Sequence, residues 1–178
     1  MTDVETEDNT YEEPKKNDPF CTLPKSTMNL AACKDMYNRE RHEGLSYFAE
    51  NSAFWTQYDP IGFSIYLGQY KYNSDLSAMD FVRRNTVGGM IHDMDETLTH
   101  KHMFGVYKIL RDEAGHYSVT CVFITRGQDI LPEVFGPQHE YFSWEKLDTD
   151  ISKKLISEAF HSVDLFQDKT VDHHVIFV

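Results

Sequence analysis

The sequence has no long hydrophobic run, and its few cysteines lie far apart. Its apolar runs cover a handful of residues, well below the ~20 that an α-helix needs to cross a bilayer. The three cysteines, Cys21, Cys33 and Cys121, include no Cys-x-x-Cys pair. Neither a membrane span, a disulfide framework nor a thiolate metal site is therefore predicted, and a reducing cytosol is favoured.

Positive charge is also scarce. The chain has 17 Lys and Arg residues against 29 Asp and Glu, which gives a net charge of −12. Proteins that bind nucleic acids usually concentrate basic residues on one face, so this balance disfavours a large phosphate-binding surface. The sequence also lacks a Gly-rich phosphate loop, a Gly-x-Ser-x-Gly turn and a His-Glu-x-x-His motif, each of which marks a class of enzyme or nucleotide-binding protein.

A length of 178 residues predicts a single domain with a sizeable core. Residues 1–18 contain seven acidic residues, two lysines and no apolar stretch. This composition is the opposite of a signal peptide, so secretion is not expected. We predict a disordered acidic leader or linker over residues 1–18 and a folded domain over residues 19–178.

An aromatic segment, residues 54–72, is the most informative part of the chain, with seven aromatic side chains in nineteen residues. Asp59, Pro60 and Gly62 are residue types that stop a helix and turn the chain. From residue 62 onward Phe63 and Ile65 alternate with polar or aromatic side chains. The pattern predicts a helix end, a turn and a strand over residues 62–72 whose aliphatic face is buried.

The remaining pattern mixes helices with strands. Apolar spacing predicts helices over residues 27–41, 45–58, 87–98 and 149–161, and the last of these is expected to turn Ile151, Leu155 and Ala159 inward. Strands are predicted over residues 102–110 and 116–126, as a hairpin, and over 139–144, with a short edge strand over 175–178. This order favours an α+β domain with an antiparallel sheet covered by helices.

Several short motifs, taken in order, resemble the C-terminal domain of the translation elongation factor 1-gamma family. The resemblance runs from about residue 18 to the end of the chain. The motifs that carry it are Asp18-Pro19-Phe20, Leu23-Pro24-Lys25-Ser26-Thr27, Phe54-Trp55, Tyr58-Asp59, Gly62-Phe63-Ser64-Ile65-Tyr66 with Tyr70, Asn85 with Gly89-Met90 and Asp95, Val122 with Arg126-Gly127-Gln128, and Tyr141 with Trp144 and Lys146-Leu147-Asp148.

The resemblance implies a two-layer sandwich of ferredoxin-like (α-β plait) topology, with four to five strands. It also implies a non-catalytic interaction domain of the cytoplasmic elongation factor 1 complex, which supports translation elongation. The expected partners are the exchange-factor subunits and elongation factor 1-alpha. In the family, a glutathione-transferase-like domain and a linker precede this domain. The sequence has neither the transferase-like domain nor room for one, so we expect either an excised domain with some linker or a stand-alone protein.

Seven residues are candidate partner contacts: Lys25, Tyr66, Tyr70, Arg126, Gln128, Trp144 and Lys146. In the Arg126-Gly127-Gln128 turn, a guanidinium at a strand end suits a carboxylate or phosphate of a partner. The alternative is a strand-terminating turn with a structural ion pair. Trp144 is either a partner anchor or a core residue at the junction of strand and helix.

The tyrosines of the predicted strand suggest an alternative function, nucleic-acid binding. Tyr66, Tyr70 and Tyr72 are a candidate base-stacking platform, which would make the chain a plait-fold module that contacts tRNA or mRNA. The acidic charge and the missing alternation of basic and aromatic residues favour ordinary packing of these rings instead.

Neither catalysis nor a cofactor or metal site is predicted. His100-x-His102 and His173-His174, the latter in an expected tail, have no acid or cysteine at a familiar ligand spacing. The other reactive side chains are assigned to the polar face of the central helix (His92, Asp93, Asp95, Glu96) or to the core (Cys33, Cys121). We therefore expect a protein that acts by surface complementarity and is not an enzyme.

Overall fold

The computed structural model describes residues 22–95, 99–129, 135–136 and 138–177. The predicted leader, Cys21, Glu96 and Leu98 lie outside the described residues, as do the side chains of Asp95 and His100. The helices are α1 Leu30–His42, α2 Phe54–Gln57, α3 Asp80–Asp95, α4 Thr99–His102, α5 Gln138–Tyr141 and α6 Thr149–His161. The strands are β1 Phe63–Tyr70, β2 Met103–Arg111, β3 Tyr117–Arg126, β4 Phe142–Lys146, β5 Leu165–Phe166 and β6 Lys169–Phe177.

The strands form one six-stranded sheet in the order β4-β1-β3-β2-β6-β5. Every pair of neighbours is antiparallel. The predicted α+β class and the predicted hairpin of β2 and β3 are thus confirmed, and Gly115 takes the expected positive φ (+83°) in its turn. The register places Tyr66 opposite both Phe123 of β3 and Lys146 of β4.

Both faces of the sheet are buried. On one face Phe104 and Val106 of β2 pack in a core that includes α1 and α6. On the other face Tyr107 and Ile109 pack in a core that includes α3. Alternate side chains of one strand therefore enter two different cores, and this explains why β2 reads as a nearly unbroken apolar run.

The predictions of two layers and of four to five strands are wrong. Helices cover both faces of the sheet, which makes three layers, and β5 and β6 bring the described sheet to six strands. Gln167 and Asp168 join those two strands with φ values of 50° and 60°. A turn with two positive φ values usually contains glycine, so this glycine-free hairpin leaves little trace in the sequence. The strand predicted over residues 175–178 is longer than expected and lies between β2 and β5, not at the edge.

Three predicted helices are present, although the one predicted over residues 87–98 begins earlier, at Asp80, and its predicted end lies outside the described residues. Asn29 caps α1 by accepting a hydrogen bond from the main-chain N–H of Ala32, and Asp148 caps α6 in the same way with Asp150. The middle helix, α3, buries Val87, Met90 and Met94 as predicted. In α6, however, Ile151 is 83% exposed and Ile156 is buried. Ile151 lies in the first turn of α6.

The helix predicted over residues 45–58 is wrong except for its last turn, α2. Residues 46–53 form successive i to i+3 turns, such as those from Ala49 N to Ser46 O and from Ser52 N to Ala49 O. The aromatic side chains of this segment are nonetheless buried as expected. Phe48 is fully buried, and its ring centre lies 4.4 Å from that of Phe160 on α6. The aromatic rings of this segment are therefore buried although its backbone is not helical.

The strand predicted over residues 139–144 begins three residues late, because residues 138–141 form α5. Gln138 holds that turn in place from a fully buried position. Its side-chain amide donates to the carbonyl of Met90 on α3, and its Oε1 accepts a hydrogen bond from the hydroxyl of Tyr107 (3.2 Å). A buried amide with both ends satisfied fixes the local conformation against the strand tendency of its neighbours. Among the described helices, none is long and apolar enough to span a bilayer.

Candidate partner-contact site

Four of the seven candidate contacts meet at one corner of the sheet, where β1 begins and β3 and β4 end. We call this the β1 corner, formed by Tyr66, Arg126, Gln128 and Lys146 together with the turn of residues 59–62. Strand register brings the residues together: Phe63 pairs with Arg126, and Tyr66 pairs with Lys146. The structure therefore unites side chains that are up to 80 positions apart in the sequence.

Gln128 is the centre of the β1 corner. Its Nε2 group has two hydrogens and lies within hydrogen-bonding distance of three carbonyls, those of Pro60 (2.9 Å), Ile61 (2.5 Å) and Phe63 (3.0 Å), so one hydrogen is shared. Its own Oε1 accepts a hydrogen bond from Nζ of Lys146 at 2.9 Å. Because its amide bonds to the turn on one side and to β4 on the other, Gln128 fixes the turn relative to the sheet.

The main-chain carbonyl of Gln128 binds two members of the group, Tyr66 and Lys146. It accepts hydrogen bonds from the hydroxyl of Tyr66 (2.5 Å) and from Nζ of Lys146 (2.8 Å). Tyr66 is only 7% exposed, so its ring packs within the protein and its hydroxyl group is used in the hydrogen bond to Gln128. Lys146 is exposed and presents positive charge to solvent.

Arg126 closes the β1 corner from the end of β3. Its guanidinium donates to the carbonyl of Gly62 and lies 5.4 Å from the centre of the Phe63 ring. The next residue, Gly127, also donates to that carbonyl through its N–H (2.8 Å), with a φ of +89° that favours glycine. This geometry is that of the alternative given for the motif, a strand-terminating turn. The structural ion pair of that alternative is replaced by a hydrogen bond from the Arg126 guanidinium to the carbonyl of Gly62.

Asp59 stabilises the turn itself. Its carboxylate accepts hydrogen bonds from the hydroxyl of Ser26 (2.5 Å) and from the N–H of Ile61 (3.0 Å). The Ser26 hydroxyl lowers the pKa of Asp59, and further hydrogen bonds and the charge of Arg126 act in the same direction. A Cβ at Gly62 would lie within 3 Å of both Asp59 and Ser26, so a larger residue there would displace the side chains of this hydrogen bond.

Ile61 stands at the tip of this turn and is 84% exposed. The hydrogen bonds of Asp59 and Gln128 hold its backbone on both sides. Single exposed apolar side chains are common on protein surfaces, so Ile61 is a candidate contact only together with Arg126 and Lys146 on the same corner. Sequence analysis did not identify Ile61 as a contact, although an isoleucine between Pro60 and Gly62, outside any alternating strand pattern, was the available signal.

The other three candidate contacts lie outside the group of four. Lys25 is exposed and directly precedes Ser26. Tyr70 lies at the far end of β1, with its ring centre 5.4 Å from that of Phe142. Trp144 is half-buried in the same core as α3, and its indole N–H donates to the carbonyl of His139 (3.0 Å). The ring of Trp144 crosses Gly68 of β1 so closely that a Cβ there would lie 2.6 Å from it.

The groups considered for chemistry are dispersed. Burial raises the pKa values of the Cys33 and Cys121 thiols, which makes both poor nucleophiles at neutral pH. His173 and His174 lie in β6 and not in a tail. His92 and Asp93 are exposed on α3. In the described part of the chain, no group of three His, Cys, Asp or Glu side chains is arranged to hold a metal ion.

Comparison with known proteins gives a consistent result. The model of one protein family, described as "Elongation factor 1 gamma, conserved domain", matches residues 15–129. Elongation factor 1-gamma of Drosophila melanogaster is 32% identical over 154 residues, which cover 83% of this chain and 33% of the relative. Probable elongation factor 1-gamma 1 of Arabidopsis thaliana is 33% identical over 162 residues, or 86% of this chain and 37% of the relative. Elongation factor 1-gamma of Rattus norvegicus is 30% identical over 172 residues, or 93% and 38%. The chain thus spans about a third of the length of these relatives.

Proposed function

The chain belongs to the elongation factor 1-gamma family, and we propose that residues 19–178 form a non-catalytic interaction domain of the elongation factor 1 complex. In this role the domain supports translation elongation in the cytoplasm, where elongation factor 1-alpha delivers aminoacyl-tRNA and undergoes nucleotide exchange. The single observation that carries the proposal is the family match across most of the chain. The proposed partners are the exchange-factor subunits and elongation factor 1-alpha.

We further propose that the β1 corner is the contact surface. Its exposed apolar residue, Ile61, has Lys146 and Arg126 nearby on the same corner. Protein interfaces concentrate binding energy in a small apolar centre, and arginine is enriched there. The hydrogen bonds around Gln128 hold the turn rigid before binding, which reduces the entropy lost on association. A matching partner would offer an apolar pocket beside acidic side chains.

The geometry argues against the nucleic-acid alternative. Base stacking needs exposed ring faces, whereas Tyr66 is 7% exposed and Tyr70 is half-buried. Tyr72, at 45% exposure, is the only ring of the predicted platform that stands largely in water. Helices also cover both faces of the sheet, so the open sheet surface that plait-fold RNA-binding proteins use is closed.

We also propose a ferredoxin-like unit within the larger fold. Residues 63–146 run in the order β1-α3-α4-β2-β3-α5-β4, which is the β-α-β-β-α-β pattern of that fold when the single turn of α4 is counted with α3. Their strands lie in the order β4-β1-β3-β2, all antiparallel. The hydrogen bond from Gln138 to the Met90 carbonyl joins α5 to α3. On this proposal α1, α2 and α6 cover the second face, and β5 and β6 extend the sheet beyond β2.

Affinity capture tests the proposed function. The 178-residue chain is immobilised and exposed to cell extract, and the retained proteins are identified by mass spectrometry. Recovery of elongation factor 1 subunits, repeated with each purified subunit alone, is the expected result. If the purified subunits fail to bind and unrelated proteins are retained, membership of the complex through this domain is contradicted.

A further inference from the structure

A second site lies where the end of α1, the segment that follows it, the end of α6 and β6 meet. A cavity of about 260 Å³ opens there. Its lining includes three basic side chains, Arg41, His161 and His174. It also includes Leu45 and Val163, apolar side chains that are 54% and 60% exposed. The cavity thus gathers three basic side chains on a molecule whose net charge is −12.

Lys108 of β2 adjoins this cavity through its contact with His174. Its side chain is almost completely buried, with the residue 1% exposed. Nζ donates to the carbonyl of Ser162 (2.5 Å) and lies 2.8 Å from Nδ1 of His174, and the Phe166 ring centre is 5.6 Å away. A buried ammonium is normally paired with a carboxylate, and the described residues give Lys108 none within 4 Å.

The hydrogen bonds of the two histidines leave each with one ring N–H as a donor. Nε2 of His161 accepts a hydrogen bond from the main-chain N–H of Phe48 (3.1 Å), so the proton of the neutral ring is on Nδ1. Nδ1 of His174 faces the ammonium of Lys108, so its proton is on Nε2. The guanidinium of Arg41 adds further donors. The cavity lining therefore holds one cation, Arg41, and two histidines that each keep a ring N–H donor, while the ammonium of Lys108 lies behind His174.

The electrostatics of His174 agree with this description. Burial lowers the pKa of His174 to about 4, and the groups that lower it further are all basic: Lys108 on β2, Arg41 on α1, His161 on α6 and His173 on β6. Burial and Lys108 also lower the pKa of His161. His161 and His174 are therefore neutral beside two cations, Lys108 and Arg41. This is the protonation state expected when no negative charge is bound nearby.

We propose that this cavity, the basic pocket, binds an oxyanion, a carboxylate or phosphate group, between Arg41, His161 and His174, with Lys108 supplying charge from beneath. Charge-assisted hydrogen bonds from a guanidinium and from ring N–H groups are the usual means of holding such groups. The exposed Leu45 and Val163 suit an apolar portion next to the anion. The bound group would provide the negative charge that the four basic residues lack.

Titration with small anions tests the basic pocket. The Cε1–H resonances of His161 and His174 are followed by NMR while sodium acetate or sodium phosphate replaces sodium chloride at constant ionic strength. Saturable shifts of both resonances are expected with at least one anion. Saturation by acetate alone identifies a carboxylate, and saturation by phosphate alone identifies a phosphoryl group. Shifts that do not saturate with either anion overturn the proposal.

The binding must also be linked to protonation of His174. A bound anion favours the imidazolium, so the pKa of His174 is expected to rise from about 4 to about 5 or higher in the presence of the anion that binds. If the pKa of His174 is the same with and without saturating anion, the anion binds elsewhere and the proposal is contradicted.

Matched arginine variants assign the site. Arg41→Gln should weaken anion binding about tenfold, because a charge-assisted hydrogen bond is lost. Arg39→Gln is the control, since Arg39 is exposed on the same helix and does not line the cavity. Both residues are exposed, so both variants are expected to fold. Equal effects of the two variants, or no effect of Arg41→Gln, would contradict the proposal.

Discussion

Gly105, in the middle of β2, occupies a position where the fold leaves no room for a side chain. A Cβ at this residue would lie 2.6 Å from the main-chain carbonyl of Val122 and would collide with the ring of Phe123. The carbonyl belongs to the neighbouring strand and cannot rotate away as a side chain can. Glycine is required here by the close approach of two strands, not by an unusual φ.

Gly105→Ala should therefore lower the free energy of unfolding by about 1–3 kcal/mol, the usual cost of overpacking a core. Gly89→Ala is the control, because Gly89 lies within α3 and a Cβ there meets nothing within 4 Å. That substitution should raise the free energy of unfolding by about 0.5–1 kcal/mol, since alanine favours a helix. Urea denaturation measures both values. A Gly105→Ala variant as stable as Gly89→Ala would show that the strands separate easily.

Lys108 makes stability depend on pH in the alkaline range. Burial lowers its pKa from 10.5 to about 8. Between these values the unfolded chain binds more protons than the folded chain, so the free energy of unfolding rises as pH increases. Relative to Lys108→Met, the wild type should gain about 3 kcal/mol from pH 8 to pH 10.5. Urea denaturation of both proteins across this range tests the expectation, and a difference that does not vary with pH would contradict it.

At the scale of elements, the sequence predicts best what local chemistry decides. The bounds of α1 and α6 follow from apolar periodicity and from the caps Asn29 and Asp148, all of which are local signals. The structure of residues 45–53 was predicted wrongly, because its rings are buried by contacts with α1, α6 and β2. These elements are distant in the sequence, so local periodicity does not predict the contacts. The hairpin of β5 and β6 was missed because its turn contains no glycine.

The cap of α6 is a testable part of that local chemistry. Asp148→Ala should lower the free energy of unfolding by about 1 kcal/mol, because the N–H of Asp150 loses its acceptor. Lys154→Ala, an exposed change within the same helix, should alter it by less than about 0.5 kcal/mol. Thermal or urea unfolding distinguishes the two. A loss as large for Lys154→Ala as for Asp148→Ala would mean that helix propensity, and not capping, determines the stability of α6.

At the scale of the whole molecule, the candidate contact surface was predictable in part. Residue chemistry and position in the sequence singled out Tyr66, Arg126, Gln128 and Lys146, and strand pairing brings these four to one corner. Their hydrogen bonds run inward, and apart from Oε1 of Gln128 the acceptors are main-chain carbonyls, which a sequence pattern does not identify. The exposure of Ile61, the most exposed apolar residue of the β1 corner, is known only from the structure of the turn.

Two exposed isoleucines on different elements provide a matched comparison for the proposed interface. Ile61 on the β1 corner is 84% exposed, and Ile151 on α6 is 83% exposed. A change to aspartate adds the same charge and removes the same apolar surface at each position. Neither side chain belongs to a core, so both variants should retain the fold of the wild type.

The most direct test is the Kd of each variant for the elongation factor 1 subunit that the chain captures, measured by titration calorimetry. Ile61→Asp should raise Kd at least about tenfold, because an interface centre loses its apolar contact and gains an unpaired charge. Ile151→Asp should leave Kd within about twofold of the wild-type value. Equal affinities for the two variants, or no binding of any elongation factor 1 subunit by the wild type, would contradict the account.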